Sequence, residues 1–158
     1  MIKAIILDVD GVLTDGKKYY MKNEIVKSFS VKDGKGIDLA QKSGIKFAII
    51  TADKWPLIIE RAKHLKIEDV YYDCHDKIKA CEEFCEKYDL SFSELCFIGD
   101  DVNDIPLLEK VGFPATVNDC VDDVKNVVLR CSGYKSLKNG GNGGVREITD
   151  FIRKFIND

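Results

Sequence analysis

The sequence predicts an α/β fold, a Rossmann-like parallel sheet with helices on both faces, carrying an inserted β-hairpin. Three observations predict it. Short β-rich runs alternate with amphipathic stretches, the order expected of βαβ units. The runs Ile2 to Val9 and Ile45 to Thr51 are almost continuously apolar, as strands covered on both faces are. One segment, Lys17 to Val31, breaks the alternation with two β-prone arms around Asn23-Glu24. The 158 residues, 45% of them hydrophobic and 32% charged, suffice for a core of their own. We therefore read residues 1–158 as a single domain.

Each element has a local reason. The strand Ile2 to Val9 leads into Asp10-Gly11, a turn signal. The hairpin follows, and an isolated two-stranded ribbon is marginal in water, so it must pack on something, such as another subunit. A helix over Gly36 to Ser43 stops before Gly44, a good residue just past a helix end. After the strand Ile45 to Thr51, the helix Trp55 to Leu65 places Pro56 in its first turn, where a missing N–H costs nothing. Asp69 to Tyr72 is a short strand, and the helix Asp76 to Tyr88 starts on an Asp N-cap. Leu95 to Ile98 is the next strand, closed by Gly99, and the helix Asp104 to Val111 ends at Gly112. Pro114 to Val117 and Val127 to Leu129 read as two more strands, and Val145 to Ile156 as the last helix.

Composition excludes several classes. The net charge of −3 carries no electrostatic footprint for nucleic acid or an anionic membrane. No apolar run approaches the roughly 18 residues of a membrane span. The first apolar run meets Asp8 without a small-residue cleavage pattern, so it does not read as a signal peptide. Six cysteines form no CxxC pair, and His64 and His75 are the only histidines available for a zinc site. We read reduced thiols in a cytoplasmic protein.

Ligands of open α/β sheets bind at the carboxyl ends of the strands. There the sequence sets Asp8 and Asp10, then Thr51, then Lys77, then Asp100, Asp101 and Asp104. Clustered carboxylates repel unless a cation joins them. All-oxygen donors with few carboxylates suit Mg²⁺.

The segment Asp8-Val9-Asp10-Gly11-Val12-Leu13-Thr14 resembles the DxDGxxT motif of the haloacid dehalogenase superfamily. Thr51, Lys77 and Gly99-Asp100-Asp101-Val102-Asn103-Asp104 match its other three motifs in order. Over nearly the full length, the hairpin, the Val31 to Gly36 segment and the tail Gly140 to Glu147 resemble the capless sugar-acid phosphatases. That group includes 3-deoxy-D-manno-octulosonate 8-phosphate phosphatases and phosphatases of nine-carbon sialic-type acid 9-phosphates. The resemblance implies a Mg²⁺-dependent phosphomonoesterase. Asp8 would be the nucleophile that forms an aspartyl-phosphate, and Asp10 the acid and base. Mg²⁺ would be held by Asp8, the Asp10 backbone carbonyl and Asp100. Thr51 would donate to a phosphoryl oxygen and Lys77 would offset charge. Asp101 and Asp104 would orient Lys77 and metal-bound water. It also implies a homotetramer whose hairpins build a central barrel, with the glycine-rich tail closing a neighbour's site.

The sequence departs from the group after Thr51. Ala52 replaces a usual Gly, and Asp53 stands where the octulosonate enzymes resemble one another in an Arg. An Asp would repel a sugar-acid carboxylate and favour hydroxyls. Arg61 matches an Arg that reaches a neighbouring site, and would take the carboxylate instead. Asn142 and Gly144 also depart from the octulosonate pattern. These departures place a nine-carbon acid slightly ahead of the eight-carbon one. The alternatives are a promiscuous small-molecule phosphatase and a non-catalytic tetramerisation module like those fused to cytidylyltransferases. A response-regulator receiver shares Asp, Thr, Lys and Mg²⁺, but there the phosphorylated Asp ends a later strand.

Overall fold

The computed structural model describes residues 1–156. Six strands form one parallel sheet in the order β5-β4-β1-β6-β7-β8. They are β1 (Ala4–Leu7), β4 (Lys46–Ile50), β5 (Asp69–Tyr71), β6 (Leu95–Ile98), β7 (Phe113–Thr116) and β8 (Tyr134–Lys135). The hairpin strands β2 (Tyr19–Tyr20) and β3 (Ile25–Val26) pair antiparallel, apart from that sheet.

Alternation along the strands builds two cores. Ile5 and Leu7 face one side with Phe47, Ile49, Cys96 and Ile98. Helices α1 (Val31–Lys42), α2 (Leu57–His64) and α6 (Gly144–Phe151) cover that side with Ile37, Ile58 and Ile148. Ala4 and Ile6 face the other side with Ala48, Ile50, Leu95 and Phe97. Helices α3 (Lys77–Tyr88), α4 (Ile105–Leu108) and α5 (Asp122–Arg130) cover it with Phe84, Leu107 and Val128. Successive strand side chains point to opposite faces, so a sheet clothed twice needs apolar residues at every position.

Three expectations shift. Val127 to Leu129 is not a strand but lies in α5, where Val124, Val127 and Val128 line one buried stripe. A short apolar run is ambiguous between the two periods, and here the helical spacing wins. The last strand is Tyr134–Lys135 instead. Helix α1 starts at Val31 rather than Gly36, because Ser30 caps it by accepting the Asp33 N–H. The final helix ends at Phe151 and continues as a π-turn over Ile152–Ile156. Among the described residues, the segment between β1 and α1 holds only the loop and the hairpin, and no helix is long and apolar enough to cross a membrane. All six cysteines are free.

Strand β1 pairs with β4 on one side and β6 on the other. The order reverses there, so the carboxyl end of β1 is the topological switch point where a crevice must open.

Candidate active site

Asp8 follows β1 directly, and its N–H donates to the Ile98 carbonyl, which carries the sheet one residue further. The chain then turns tightly. The N–H groups of Val12, Leu13 and Thr14 all donate to the Val9 carbonyl. The buried Thr14 hydroxyl accepts from the N–H groups of Gly11 and Gly16 at 3.2 Å each. Gly11 is required twice. Its φ is +80°, and a Cβ there would lie 1.9 Å from Oδ2 of Asp100. The loop can therefore approach the β6 end only without a side chain.

Asp100 comes from the loop after β6, which Asp104 holds. One Asp104 oxygen accepts the N–H groups of Asp100 and Asp101, at 2.9 and 3.2 Å. Its other oxygen accepts from Nζ of Lys77 at 2.7 Å. Lys77 opens α3 behind an Asp76 N-cap and lies 3.2 Å from Oδ1 of Asp8. The result is a buried chain Asp8–Lys77–Asp104. Thr51 follows β4 directly and is buried, and its hydroxyl oxygen accepts the Asp53 N–H at 3.2 Å. Its proton is left to donate to another oxygen.

A cavity of about 220 Å³ opens here, lined by Asp8, Asp10, Thr51, Ala52, Asp53 and Asp100, among others. Asp101 also lines it, but its carboxylate accepts from the Val102 N–H and caps the following turn rather than reaching Lys77. Arg61, on α2, does not line this cavity; its guanidinium lies 4.9 Å from the ring of Phe29, just before α1. The run Gly140 to Gly144, expected as a lid over a neighbour, is packed against its own chain's loop. The Gly141 N–H donates to the Val12 carbonyl at 3.0 Å, and a Cβ on Gly140 would strike the Gly11 carbonyl. Glycines stand there because two backbones touch.

Electrostatics favour a cation. Burial pushes the Asp8 carboxyl up to about 7 against the pull of Lys77. Burial, with Asp8 and Asp104 nearby, pushes Asp100 up to about 8. Single carboxylate oxygens of Asp8, Asp100 and Asp104 lie within 4.8 Å of one another. Asp104 is already committed to Lys77 and two N–H groups, and Oδ1 of Asp8 to Lys77 and the Val9 N–H, so Asp100 and the second oxygen of Asp8 are the free donors. Hard oxygens that repel one another at a roomy site fit a hard divalent ion.

The hairpin supplies residues that no motif marks. Lys27 has no exposed side-chain surface, and its ammonium lies 2.8 Å from Asp10 and 3.0 Å from Asp53. Lys18 reaches Asp53 at 2.8 Å. Burial opposes ionisation of Asp53, yet Lys18 and Lys27 outweigh it and hold the carboxyl far below its usual range. The repulsion expected of Asp53 toward a substrate carboxylate is thus largely cancelled. A lysine in a β-prone arm reads as surface, and only the fold shows that it turns inward.

The sequence profile of haloacid dehalogenase-like hydrolases matches residues 69–140. The 3-deoxy-D-manno-octulosonate 8-phosphate phosphatase of Escherichia coli (strain K12) is 38% identical over 152 residues, 96% of this chain and 79% of that protein. The Haemophilus influenzae enzyme of the same name is 34% identical, over 96% of this chain and 82% of its own. A crystal structure of the Moraxella catarrhalis enzyme of that name, in complex with magnesium, phosphate and KDO, superposes with a TM-score of 0.91. It is 35% identical and covers 97% of this chain and 86% of that one. With such identity over nearly its whole length, the chain belongs to the haloacid dehalogenase-like hydrolases and is a phosphatase of that family.

Proposed function

We propose that the protein is a Mg²⁺-dependent phosphomonoesterase of a phosphorylated sugar acid, with 3-deoxy-D-manno-octulosonate 8-phosphate the leading substrate. The observation that carries the reading is the buried Asp8–Lys77–Asp104 chain beside Asp100, at the bottom of the cavity that Asp10 and Thr51 line. Asp8 attacks phosphorus and the ester oxygen leaves with a proton from Asp10. The Asp10 carboxylate then takes a proton from water, whose oxygen attacks the aspartyl-phosphate and frees Asp8 and phosphate. Lys77 offsets the charge between Asp8 and the phosphoryl group, and Thr51 donates to a phosphoryl oxygen. The Asp8 and Asp100 carboxylates and the Asp10 carbonyl would hold Mg²⁺, which supplies positive charge against the phosphoryl oxygens. Asp104 and Asp101 order the loop that presents Asp100.

Similarity to the octulosonate enzymes supports the eight-carbon acid, and the paired charge of Asp53 removes the objection to it. Asp53 itself supports a second reading, a nine-carbon sialic-type acid 9-phosphate, since a carboxylate can accept extra hydroxyls. Ala52 would sit against either sugar, and Arg61 of a neighbouring subunit would meet the substrate carboxylate. A homotetramer belongs to this reading. A cavity of about 220 Å³ is below the ~300–1,000 Å³ of complete small-molecule sites, so the distal sugar needs further walls. The arm also exposes Tyr20 by 76% and Met21 by 59%. One domain and a cytoplasmic location complete the reading, since free thiols suit a reducing compartment.

Phosphate release with Mg²⁺ or EDTA, across both sugar-acid phosphates and simple hexose phosphates, tests it. We expect Mg²⁺-dependent turnover with at least ~100-fold preference in kcat/KM for one sugar acid. Flat, weak turnover would leave a promiscuous phosphatase. No turnover of any ester with Mg²⁺ present would leave a non-catalytic module.

A further inference from the structure

The geometry points to Lys27 as a positioning residue that fixes the Asp10 carboxylate for proton transfer, so that the hairpin arm tunes the chemistry as well as any assembly. The inference rests on the reading of Asp10 as the acid. A lysine head normally stays in water, and a buried one must be paired. Lys27 spends two ammonium hydrogens on carboxylates, Asp10 Oδ1 at 2.8 Å and Asp53 Oδ2 at 3.0 Å. Its ammonium also lies 4.9 Å from the centre of the Trp55 ring.

The anchor end of this string is rigid. The other Asp53 oxygen accepts the Trp55 N–H at 2.8 Å, and the Asp53 N–H donates to Thr51. The Trp55 indole N–H donates back to the Ile25 carbonyl of the arm at 3.2 Å. Lys27 therefore hangs between a fixed carboxylate on the loop after β4 and the carboxylate on the loop after β1. Oδ1 of Asp10 faces an ammonium that has only protons to offer. Oδ2 is then the oxygen without that contact, left for the proposed proton transfer. Without the tether, a half-exposed carboxylate on a turn is free to rotate away from the ester oxygen.

The test compares two esters in the full-length protein with Mg²⁺. An alkyl phosphate such as glycerol 3-phosphate, or the sugar-acid phosphate, needs a proton on its leaving oxygen. p-Nitrophenyl phosphate expels an anion that needs none. The readout is kcat/KM, which reports formation of the phosphorylated enzyme and not its hydrolysis. In Lys27→Met we expect the loss on the alkyl ester to exceed the loss on the nitrophenyl ester by about tenfold or more, in line with a misplaced acid. Lys27→Gln, which keeps a donor at shorter reach, serves if the Met variant does not fold, with the same direction expected. In an Asp10→Asn background the substitution should add no further selectivity between the esters. Equal losses on both esters would overturn the inference and leave Lys27 a packing residue. A wild-type protein that turns over neither p-nitrophenyl phosphate nor either sugar-acid phosphate would overturn the phosphatase reading itself, a separate outcome.

Discussion

The strand-end groups and the hairpin arm meet at one cavity but are held by opposite means. Asp8, Thr51, Lys77 and Asp104 are all buried: Asp8 and Thr51 directly follow β1 and β4, Lys77 opens α3, and Asp104 braces the loop after β6. Asp104 alone makes three hydrogen bonds, so its neighbours cannot move separately. The arm has two residue pairs in its ladder and mostly exposed side chains, and its inward grips are the Lys18 and Lys27 ion pairs and the Trp55–Ile25 hydrogen bond. The comparison teaches where tolerance lies. The groups that act on phosphorus in the proposed mechanism are over-determined by the core, whereas Asp10, its proposed acid, depends on a few contacts from a pliable arm.

The sharpest way to break that comparison is Asp8→Asn. We expect kcat to fall by ~10⁴-fold or more, as for loss of a nucleophile that works as part of a unit. The fold should survive, and without metal its melting temperature should not drop, because burial already disfavours the Asp8 charge. Retained turnover would remove Asp8 as the nucleophile. Asp10→Asn comes next, with a loss of ~10²–10⁴-fold on alkyl phosphates, read from initial rates.

Metal and pH probe the strand-end region alone. Asp8 and Asp100 are raised from 3.8 to about 7 and about 8 in the folded protein. Between the unfolded and folded values, the folded state binds more protons than the unfolded one, so metal-free stability falls as pH rises from about 4 to 8. Mg²⁺ should offset part of this at pH 8, by ~2.7 kcal/mol at a hundred times its dissociation constant. At pH 5 it should add much less. Chemical denaturation at the two pH values, with Mg²⁺ or EDTA, checks this; an equal gain at both would take Asp8 and Asp100 out of the metal site. The smallest effect belongs to the arm. Tyr20→Ser should weaken self-association by light scattering while protomer stability moves within ~0.5 kcal/mol. An unchanged oligomer would separate the arm from assembly.

The strand ends, the helix caps at Asp76 and the glycine turns were legible because each is a relation between near neighbours in the chain. Periodicity and spacing record such relations directly, and the resemblance of the DxDGxxT segment added an ordered set of partners. Val127 to Leu129 was misread because three apolar residues satisfy both periods, and α5 is decided by which face meets the sheet. The glycine run was legible as unusual but not as a buttress, since its partner loop lies some 130 residues earlier. By itself the sequence determined the α/β architecture and which acids, hydroxyl and ammonium converge on one sheet edge. Only the tertiary structure decided that Lys27 turns inward across 17 and 26 residues to Asp10 and Asp53, that the Asp53 carboxylate is paired with two ammonium groups, and that Arg61 stands apart from the cavity. The reason is that burial of a charge is settled by whichever distant groups arrive to pair with it, and no local pattern encodes that arrival.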